Sequence, residues 1–136
     1  NKKDLSDRSL IYSIENPPFY VDSFRISVSK KYRYLICDFQ ETQSLGYFYA
    51  IAEIKVFGSD GQQFSGEWGG NEGTKGDGLD LVTDQDRVSY YQPDQFQKDQ
   101  FVVLDLGEPK QIAKVEFYPR NDDNKIVTGE LYELFY

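Results

Sequence analysis

The segment most indicative of this chain's architecture reads FVVLDLGEP at residues 101–109, QIAKVEFY at 111–118 and PRNDDN at 119–124. Apolar and β-branched runs of strand length are separated first by Gly107-Glu108-Pro109 and then by a cluster of turn-forming residues. The pattern predicts a strand, a tight turn, a second strand and a polar loop. Such a unit is typical of a β-sandwich edge that presents a loop for recognition, and it does not resemble the catalytic core of an enzyme.

Strand-like segments recur along the rest of the chain, each with alternating polarity or a short apolar run. The predicted strands are residues 24–28, 32–39, 51–57, 101–106, 111–118 and 130–136. No segment sustains the apolar spacing of an amphipathic helix, so we expect little helix. Aromatic residues, which favour half-buried pleated surfaces, make up 16% of the chain. The sequence therefore predicts an all-β protein, an antiparallel β-sandwich.

A length of 136 residues fits one domain with a core of its own. Residues 1–20 are polar and include Asn16-Pro17-Pro18, which disfavours both helix and central strand. We therefore expect an N-terminal arm at residues 1–23 and a sandwich domain at residues 24–136. Within the Gly-rich stretch after residue 57, Ser59-Asp60-Gly61 predicts a hairpin turn and residues 66–70 predict an irregular loop.

The formal net charge is −8 and the isoelectric point is near 4.5. Binding to nucleic acid requires clustered Lys and Arg, so this balance argues against a nucleic-acid partner and against anionic membranes. No apolar run approaches the ~20 residues needed to span a bilayer, so membrane insertion is not expected. The acidity suits a secreted or cell-surface protein, or a periplasmic one. It either concentrates a divalent cation or only maintains solubility.

The chain has no His, which removes Ser-His-Asp and Cys-His catalysis, histidine general bases and most zinc sites. Cys37 is the single cysteine and can form no intrachain disulfide; its apolar neighbours predict a buried thiol. The 23 acidic residues are compatible with a carboxylate-pair hydrolase, but no spacing singles out a pair. We therefore expect that the chain is not an enzyme.

Residues 84–91 read DQDRVSYY and place two carboxylates, Asp84 and Asp86, and the hydroxyl of Ser89 in a short turn. Calcium takes several oxygen ligands, including backbone carbonyls of non-repetitive loops. The segment is therefore either a calcium loop or an acidic solvated turn.

Three aromatic residues, Tyr90, Tyr91 and Trp68, lie in or beside predicted loops. An exposed ring there could stack on the apolar face of a sugar, whereas a buried one would pack against the sandwich. Arg120, followed by Asn121, offers a fork of donors and an amide suited to hydroxyl groups. The alternative is a polar turn with a surface salt bridge.

Together these segments resemble the discoidin-like domains of the coagulation-factor type C group, whose bacterial members include family 32 carbohydrate-binding modules. The resemblance spans residues 24–136 and rests on YRYL at 32–35, IAEIKVFG at 51–58, DQD at 84–86 with Ser89, and VLDLG at 103–107 with YPRND at 118–122. It implies a galactose-binding-like jelly roll.

The order of these motifs differs from the common arrangement, in which the Asp-rich loop and the Asp-Leu-Gly strand come first. The chain is therefore either a circular permutant or the junction of two modules. Its order and its C-terminal motifs are similar to those of domains near the C-termini of bacterial transglutaminase-like or peptide-N-glycanase-like extracellular proteins.

The resemblance also implies a structural calcium ion that ties a loop to a strand. Its implied ligands are side-chain oxygens of Asp84, Ser89 and Glu53, and backbone carbonyls of Val82, Asp86, Ser89 and Ala52. Two positions depart from the family pattern: Gln85 stands where glycine is usual, and Ser89 where threonine is usual.

The implied function is that of a non-catalytic carbohydrate-binding module in a larger secreted or surface bacterial protein. Arg120 and Asn121 would bind the glycan, with a ring supplied by Tyr90, Tyr91 or Trp68. The alternative is a structural accessory domain that docks against a neighbouring catalytic domain without binding sugar. That alternative predicts that all three rings are buried and that a large apolar patch lies outside.

Overall fold

The computed structural model describes residues 8–14, 21–26, 29–39, 50–70, 78–92, 100–120 and 132–135. Within these ranges the chain forms strands and one short 3₁₀ helix, Leu79–Thr83. The strands are β1 Leu10–Ile14, β2 Asp22–Arg25, β3 Tyr32–Phe39, β4 Ile51–Phe57, β5 Gln63–Phe64, β6 Glu67–Gly70, β7 Gln100–Lys110, β8 Lys114–Pro119 and β9 Tyr132–Phe135.

The strands form two sheets, a five-stranded one in the order β1-β9-β3-β7-β6 and a four-stranded one in the order β2-β8-β4-β5. The pairings within both sheets are antiparallel. The predicted all-β antiparallel sandwich is therefore confirmed. In the described part of the chain, no helix is long and apolar enough to cross a membrane.

The core lies between the two sheets and is built by alternation along the strands. Leu35 of β3 and Leu104 of β7 face it from one sheet, and Val56 of β4 and Phe117 of β8 face it from the other. Alternate residues point to opposite faces of a strand, and β7 accordingly contributes Val102, Leu104 and Leu106 to this layer.

The similar segments IAEIKVF and IAKVEFY are paired with each other, because β4 and β8 are neighbours. Val56 lies opposite Val115 in the core, and Lys55 lies opposite Glu116 on the outer face. The exchanged charges in the two segments thus place opposite charges across the pair, which stabilises the pairing.

The predicted tight turn at residues 107–109 is wrong, because β7 continues to Lys110. The register between β3 and β7 shifts at this point, and Gly107 has a φ of 77°. Its backbone N–H donates to Asp105 Oδ1 over 2.9 Å. Glycine at positive φ supports a β-bulge as well as a turn, and here it supports the bulge.

The predicted irregular loop at residues 66–70 is also wrong, since Glu67–Gly70 forms the edge strand β6, paired with β7. Gly66 permits this pairing, because a Cβ atom there would collide with the carbonyl oxygen of Asp105. Trp68 lies opposite Leu104 and packs against the core. Glycine signalled a close backbone approach here, not the absence of a strand.

Part of the predicted arm belongs to the sandwich. β1 pairs with β9, and the Tyr12 ring stacks on Phe24 of β2 with centroids 3.9 Å apart. The predicted boundary after residue 23 falls inside β2. Polar sequences are tolerated at sheet edges, which is where β1 and β2 lie. Asn16-Pro17-Pro18 lies outside the described residues.

Candidate functional site

The acidic turn, residues 84–90, is anchored at both ends on β4. Before it, the 3₁₀ helix packs on β4 and buries Val82 completely. After it, Tyr91 and Ile51 exchange two backbone hydrogen bonds of 2.9 and 2.8 Å. The acidic turn is therefore held beside the first residues of β4, which include Ala52 and Glu53.

Oxygen atoms converge within the acidic turn. Ser89 Oγ lies 2.6 Å from Asp84 Oδ2 and 2.9 Å from the carbonyl oxygen of Asp86. The backbone N–H of Asp86 donates to Asp84 Oδ1 over 2.8 Å. Gln85 has a φ of 69°, a conformation that favours glycine. This φ is a physical reason for the glycine that the family resemblance expects at position 85. The hydrogen bonds bring together three of the predicted ligand residues, Asp84, Asp86 and Ser89.

Glu53 is a buried carboxylate without hydrogen bonds. It is 0% exposed, and neither side-chain oxygen has a hydrogen-bond partner. Among the described residues, its ion-pair contact is with Lys55 Nζ, 3.5 Å from Oε2. Burying a charged carboxylate is costly unless it is paired and hydrogen-bonded, so this residue is under-satisfied by the protein alone.

The acidic turn covers the face of the sheet that carries Glu53. Glu53 lies opposite Tyr118 in the β4–β8 pair. The Arg87 guanidinium of the acidic turn lies 4.4 Å from the centroid of the Tyr118 ring. The predicted approach of Glu53 to the turn that contains Asp84 is therefore consistent with the packing.

Glu53 and the acidic turn offer oxygen donors. A carboxylate without side-chain hydrogen bonds, a second carboxylate, a hydroxyl and backbone carbonyls are the hard oxygen ligands that Ca²⁺ takes. In the ranges that the structure describes, no three His, Cys, Asp or Glu side chains form a metal-binding group. A calcium ion here would therefore depend on Asp84, Glu53 and Ser89 together with carbonyls, as the family resemblance implies.

Three residues form a second group, here called the Arg120 cluster: Arg120, Tyr90 and Gln92. The Arg120 guanidinium carbon lies 3.7 Å from the centroid of the Tyr90 ring. Arg120 Nη1 donates to Gln92 Oε1 over 3.2 Å, and the Arg120 backbone N–H donates to the Ala50 carbonyl. All three side chains of the cluster are half-buried. Two predicted ligand residues are thus in direct contact.

Sequence reasoning missed Gln92. It lies two positions after Tyr90, and the intervening Tyr91 bridges to β4 as an extended residue. Alternate residues of an extended segment share a face, so the burial of Tyr91 predicts that Tyr90 and Gln92 point the same way. The signal was present, but it required knowing that Tyr91 is paired.

The other predicted ligand residues lie elsewhere. Tyr91 is 1% exposed and packs in the core, so its ring is not presented to a ligand. Burial against the sandwich was the alternative for this residue, and the structure favours it. Trp68 is half-buried and lines a cleft with the 3₁₀ helix. Asn121 falls outside the described residues.

A network of charges and rings covers the outer face of the four-stranded sheet. Lys114 Nζ lies 2.8 Å from Glu116 Oε1, and the Tyr118 hydroxyl donates to Glu116 Oε2 over 2.9 Å. The hydrogen bond from Lys114 lowers the pKa of Glu116, and burial raises the pKa of Tyr118. The side chains of Lys114, Glu116 and Tyr118 therefore satisfy one another's hydrogen-bonding groups. Glu53, on the same face, differs from them because its carboxylate oxygens have no hydrogen-bond partner.

No protein-family model matches the chain, and a search of the curated proteins gives no match. Function is therefore inferred from the acidic turn with Glu53 and from the Arg120 cluster.

Proposed function

We propose that the chain is a non-catalytic carbohydrate-binding module of a larger secreted or surface bacterial protein. The sandwich would be a galactose-binding-like jelly roll with permuted strand order. The observation that carries the proposal is the contact between Arg120 and the Tyr90 ring, braced by Gln92.

The chemistry of the Arg120 cluster suits a sugar. A guanidinium carries five N–H donors in a rigid fork, a geometry suited to two neighbouring oxygen atoms such as those of a sugar. The Tyr90 ring supplies an apolar face and a hydroxyl beside it. A pyranose needs both, because its C–H groups pack on a ring while its hydroxyls accept and donate hydrogen bonds.

We expect weak binding, because one ring and a few hydrogen bonds bury little area. Attachment to a larger protein compensates for this weakness by raising the effective concentration of the attached activity near the glycan. The module would thus localise the attached activity at the glycan and would catalyse no reaction itself.

A calcium ion would support this site without taking part in binding. Its ligands would be the side chains of Asp84, Glu53 and Ser89 and the carbonyls of Val82, Asp86, Ser89 and Ala52. The ion would neutralise Glu53 and tie the acidic turn to β4. Since Tyr90 ends that turn, the ion would also fix the ring against Arg120.

The alternative, a structural accessory domain that only docks, predicts burial of all three candidate rings. Tyr91 is buried as it predicts, but Trp68 and Tyr90 are half-buried. The large hydrophobic residues exposed in the described part of the chain are Leu10 and Val21, near the sheet edges, and Val88 in the acidic turn. The burial pattern therefore favours the glycan-binding proposal.

The test is NMR titration of the chain with a panel of β-galactosides, N-acetylhexosamines and N-glycans. We expect shifts at Tyr90, Gln92 and Arg120 on adding a bound sugar. Arg120→Ala should weaken binding by about tenfold or more, since a hydrogen bond to a charged group contributes ~1.5–3 kcal/mol. Arg25→Ala, an exposed arginine on β2, is the control. Absence of binding across the panel, or binding unaffected by Arg120→Ala, would contradict the proposal.

A further inference from the structure

The edges of the two sheets differ in how they are protected. In the described part of the chain the edge strands are β1 and β6 in one sheet and β2 and β5 in the other. An edge strand carries unpaired backbone N–H and C=O groups, and native proteins blunt such edges against pairing with other chains. β5 has only two residues, β2 has charges at both ends, Asp22 and Arg25, and the register of β1 shifts between Leu10 and Tyr12.

β6 is the least protected of these edges. Glu67–Gly70 pairs with β7 in an unbroken register and contains no proline or lysine. Among the described residues, β6 forms no backbone hydrogen bond with an element other than β7. The fold has room for a side chain at Gly69, since a Cβ atom there would lie 3.6 Å from Val103 Cγ1, an ordinary contact. Glycine in a strand often marks the approach of another backbone.

A cleft of about 1000 Å³ lies along β6. Its described lining includes Gly66, Glu67 and Trp68 on one side and Leu79 and Leu81 of the 3₁₀ helix on the other. The volume reaches the upper end of the ~300–1,000 Å³ typical of ligand sites, so the cleft has room for a few residues of a peptide.

The two faces of a strand added to β6 would meet different chemistry. Glu67 and Trp68 are consecutive in β6 and therefore point to opposite faces. Trp68 and Leu79 both pack against the core, so the face that carries Trp68 is apolar. The other face carries the exposed Glu67, in a chain of net charge −8. This arrangement favours a strand that alternates apolar and basic residues, and it disfavours a second copy of this acidic chain.

We propose that β6 binds an extended segment of a partner protein in which apolar residues alternate with lysine or arginine. Backbone hydrogen bonds would add the segment to the five-stranded sheet, its apolar side chains would pack beside Trp68, and its basic side chains would lie beside Glu67. Neither Tyr90 nor Arg120 is among the described residues that line the cleft. The peptide site is therefore separate from the proposed glycan site, and each can fail without the other.

The first test is an NMR titration of the chain with the capped hexapeptide TKVKVT, whose lysines and valines lie on opposite faces when it is extended. The charge-reversed peptide TEVEVT is the control. We expect TKVKVT to shift residues 66–70 and to bind about fivefold more tightly than TEVEVT, from two exposed cross-strand charge contacts. Glu67→Gln should reduce this preference, whereas Glu108→Gln, which removes an exposed acid from β7, should preserve it.

Amide hydrogen exchange separates strand addition from side-chain contact. The N–H groups of β6 that do not face β7 should exchange rapidly in the free chain. With TKVKVT at about a tenfold excess over its Kd, their exchange should slow by about tenfold, because it then requires the free fraction.

Three results would overturn the proposal. One is the absence of TKVKVT binding, or equal affinity for TKVKVT and TEVEVT. Another is bound TKVKVT that leaves exchange in residues 67–70 unchanged, since the contact would then not involve the backbone. The third is slow exchange of all β6 amides in the free chain, because another part of this chain or a second copy would then occupy the edge.

Discussion

Replacing Glu53 with glutamine should have opposite effects with and without calcium. Without the ion, Glu53 is buried with Lys55 as its ion-pair partner at 3.5 Å. Their attraction is about 5 kcal/mol at an effective dielectric constant near 20, and desolvation costs several kcal/mol per ion. The pair therefore contributes a net free energy near zero. We expect Glu53→Gln to be as stable as the parent, or more stable by ~1 kcal/mol.

With calcium the order should reverse. An ion that binds only the folded state stabilises it by about 2.7 kcal/mol at a hundredfold excess over its Kd. For a domain of this size, ~1 kcal/mol corresponds to a change in Tm of roughly 4 °C. The Tm of the parent should thus rise by about 10 °C, while Glu53→Gln loses most of this rise because the carboxylate ligand is gone.

The assay is thermal unfolding followed by circular dichroism, first in chelator and then across a calcium titration. Glu108→Gln, which removes an exposed acid distant in sequence from the acidic turn, is the matched control and should respond like the parent. An equal rise in Tm for Glu53→Gln and the parent would refute the reasoning. So would a parent Tm that stays constant up to about 10 mM calcium, above the ~10⁻³ M Kd of weak extracellular sites.

Three further outcomes follow from the packing. Gly66→Ala should destabilise the fold by about 1–3 kcal/mol in urea unfolding through a backbone collision, whereas Gly69→Ala, with ordinary contacts, should change it by less than ~0.5 kcal/mol. Equal losses would contradict this account of β6. The pKa of Glu116 is lowered in the folded state by Lys114, so its stabilising contribution is present above its unfolded pKa and is lost as pH falls through the folded one. Acid unfolding of Glu116→Gln should show a shallower pH dependence, and an unchanged profile would exclude this contribution. Burial raises the pKa of Cys37 to about 12. A thiol reagent should therefore label it only on unfolding, and rapid labelling of the folded protein would show that it is accessible.

Local patterns predicted the strands where burial alternates along one segment. The bounds of β3 and β4 agree with the predicted residues 32–39 and 51–57, because both strands carry regular apolar positions. The errors lie at Gly66 and Gly107, where glycine supports a close approach and a bulge. Glycine signals unusual backbone geometry in each case, and only the neighbouring strand decides which kind.

The candidate sites were less accessible to sequence reasoning, because they combine distant residues. Asp84, Asp86 and Ser89 are neighbours in the chain, so their convergence could be predicted locally. Glu53 entered through the family resemblance alone, and its complete burial on the outer face of a sheet could not be deduced from alternation. Gln92 was missed because its partner Arg120 lies 28 positions away.

The place of β9 in the five-stranded sheet determines how β1 is held. β9 lies between β1 and β3 and pairs with both, so in the described part of the chain β1 is joined to the rest of that sheet through β9. Without β9, β3 would present an open edge, and open edges recruit other chains. Deletion of residues 132–135 should therefore detach β1 from the sheet as well as remove β9.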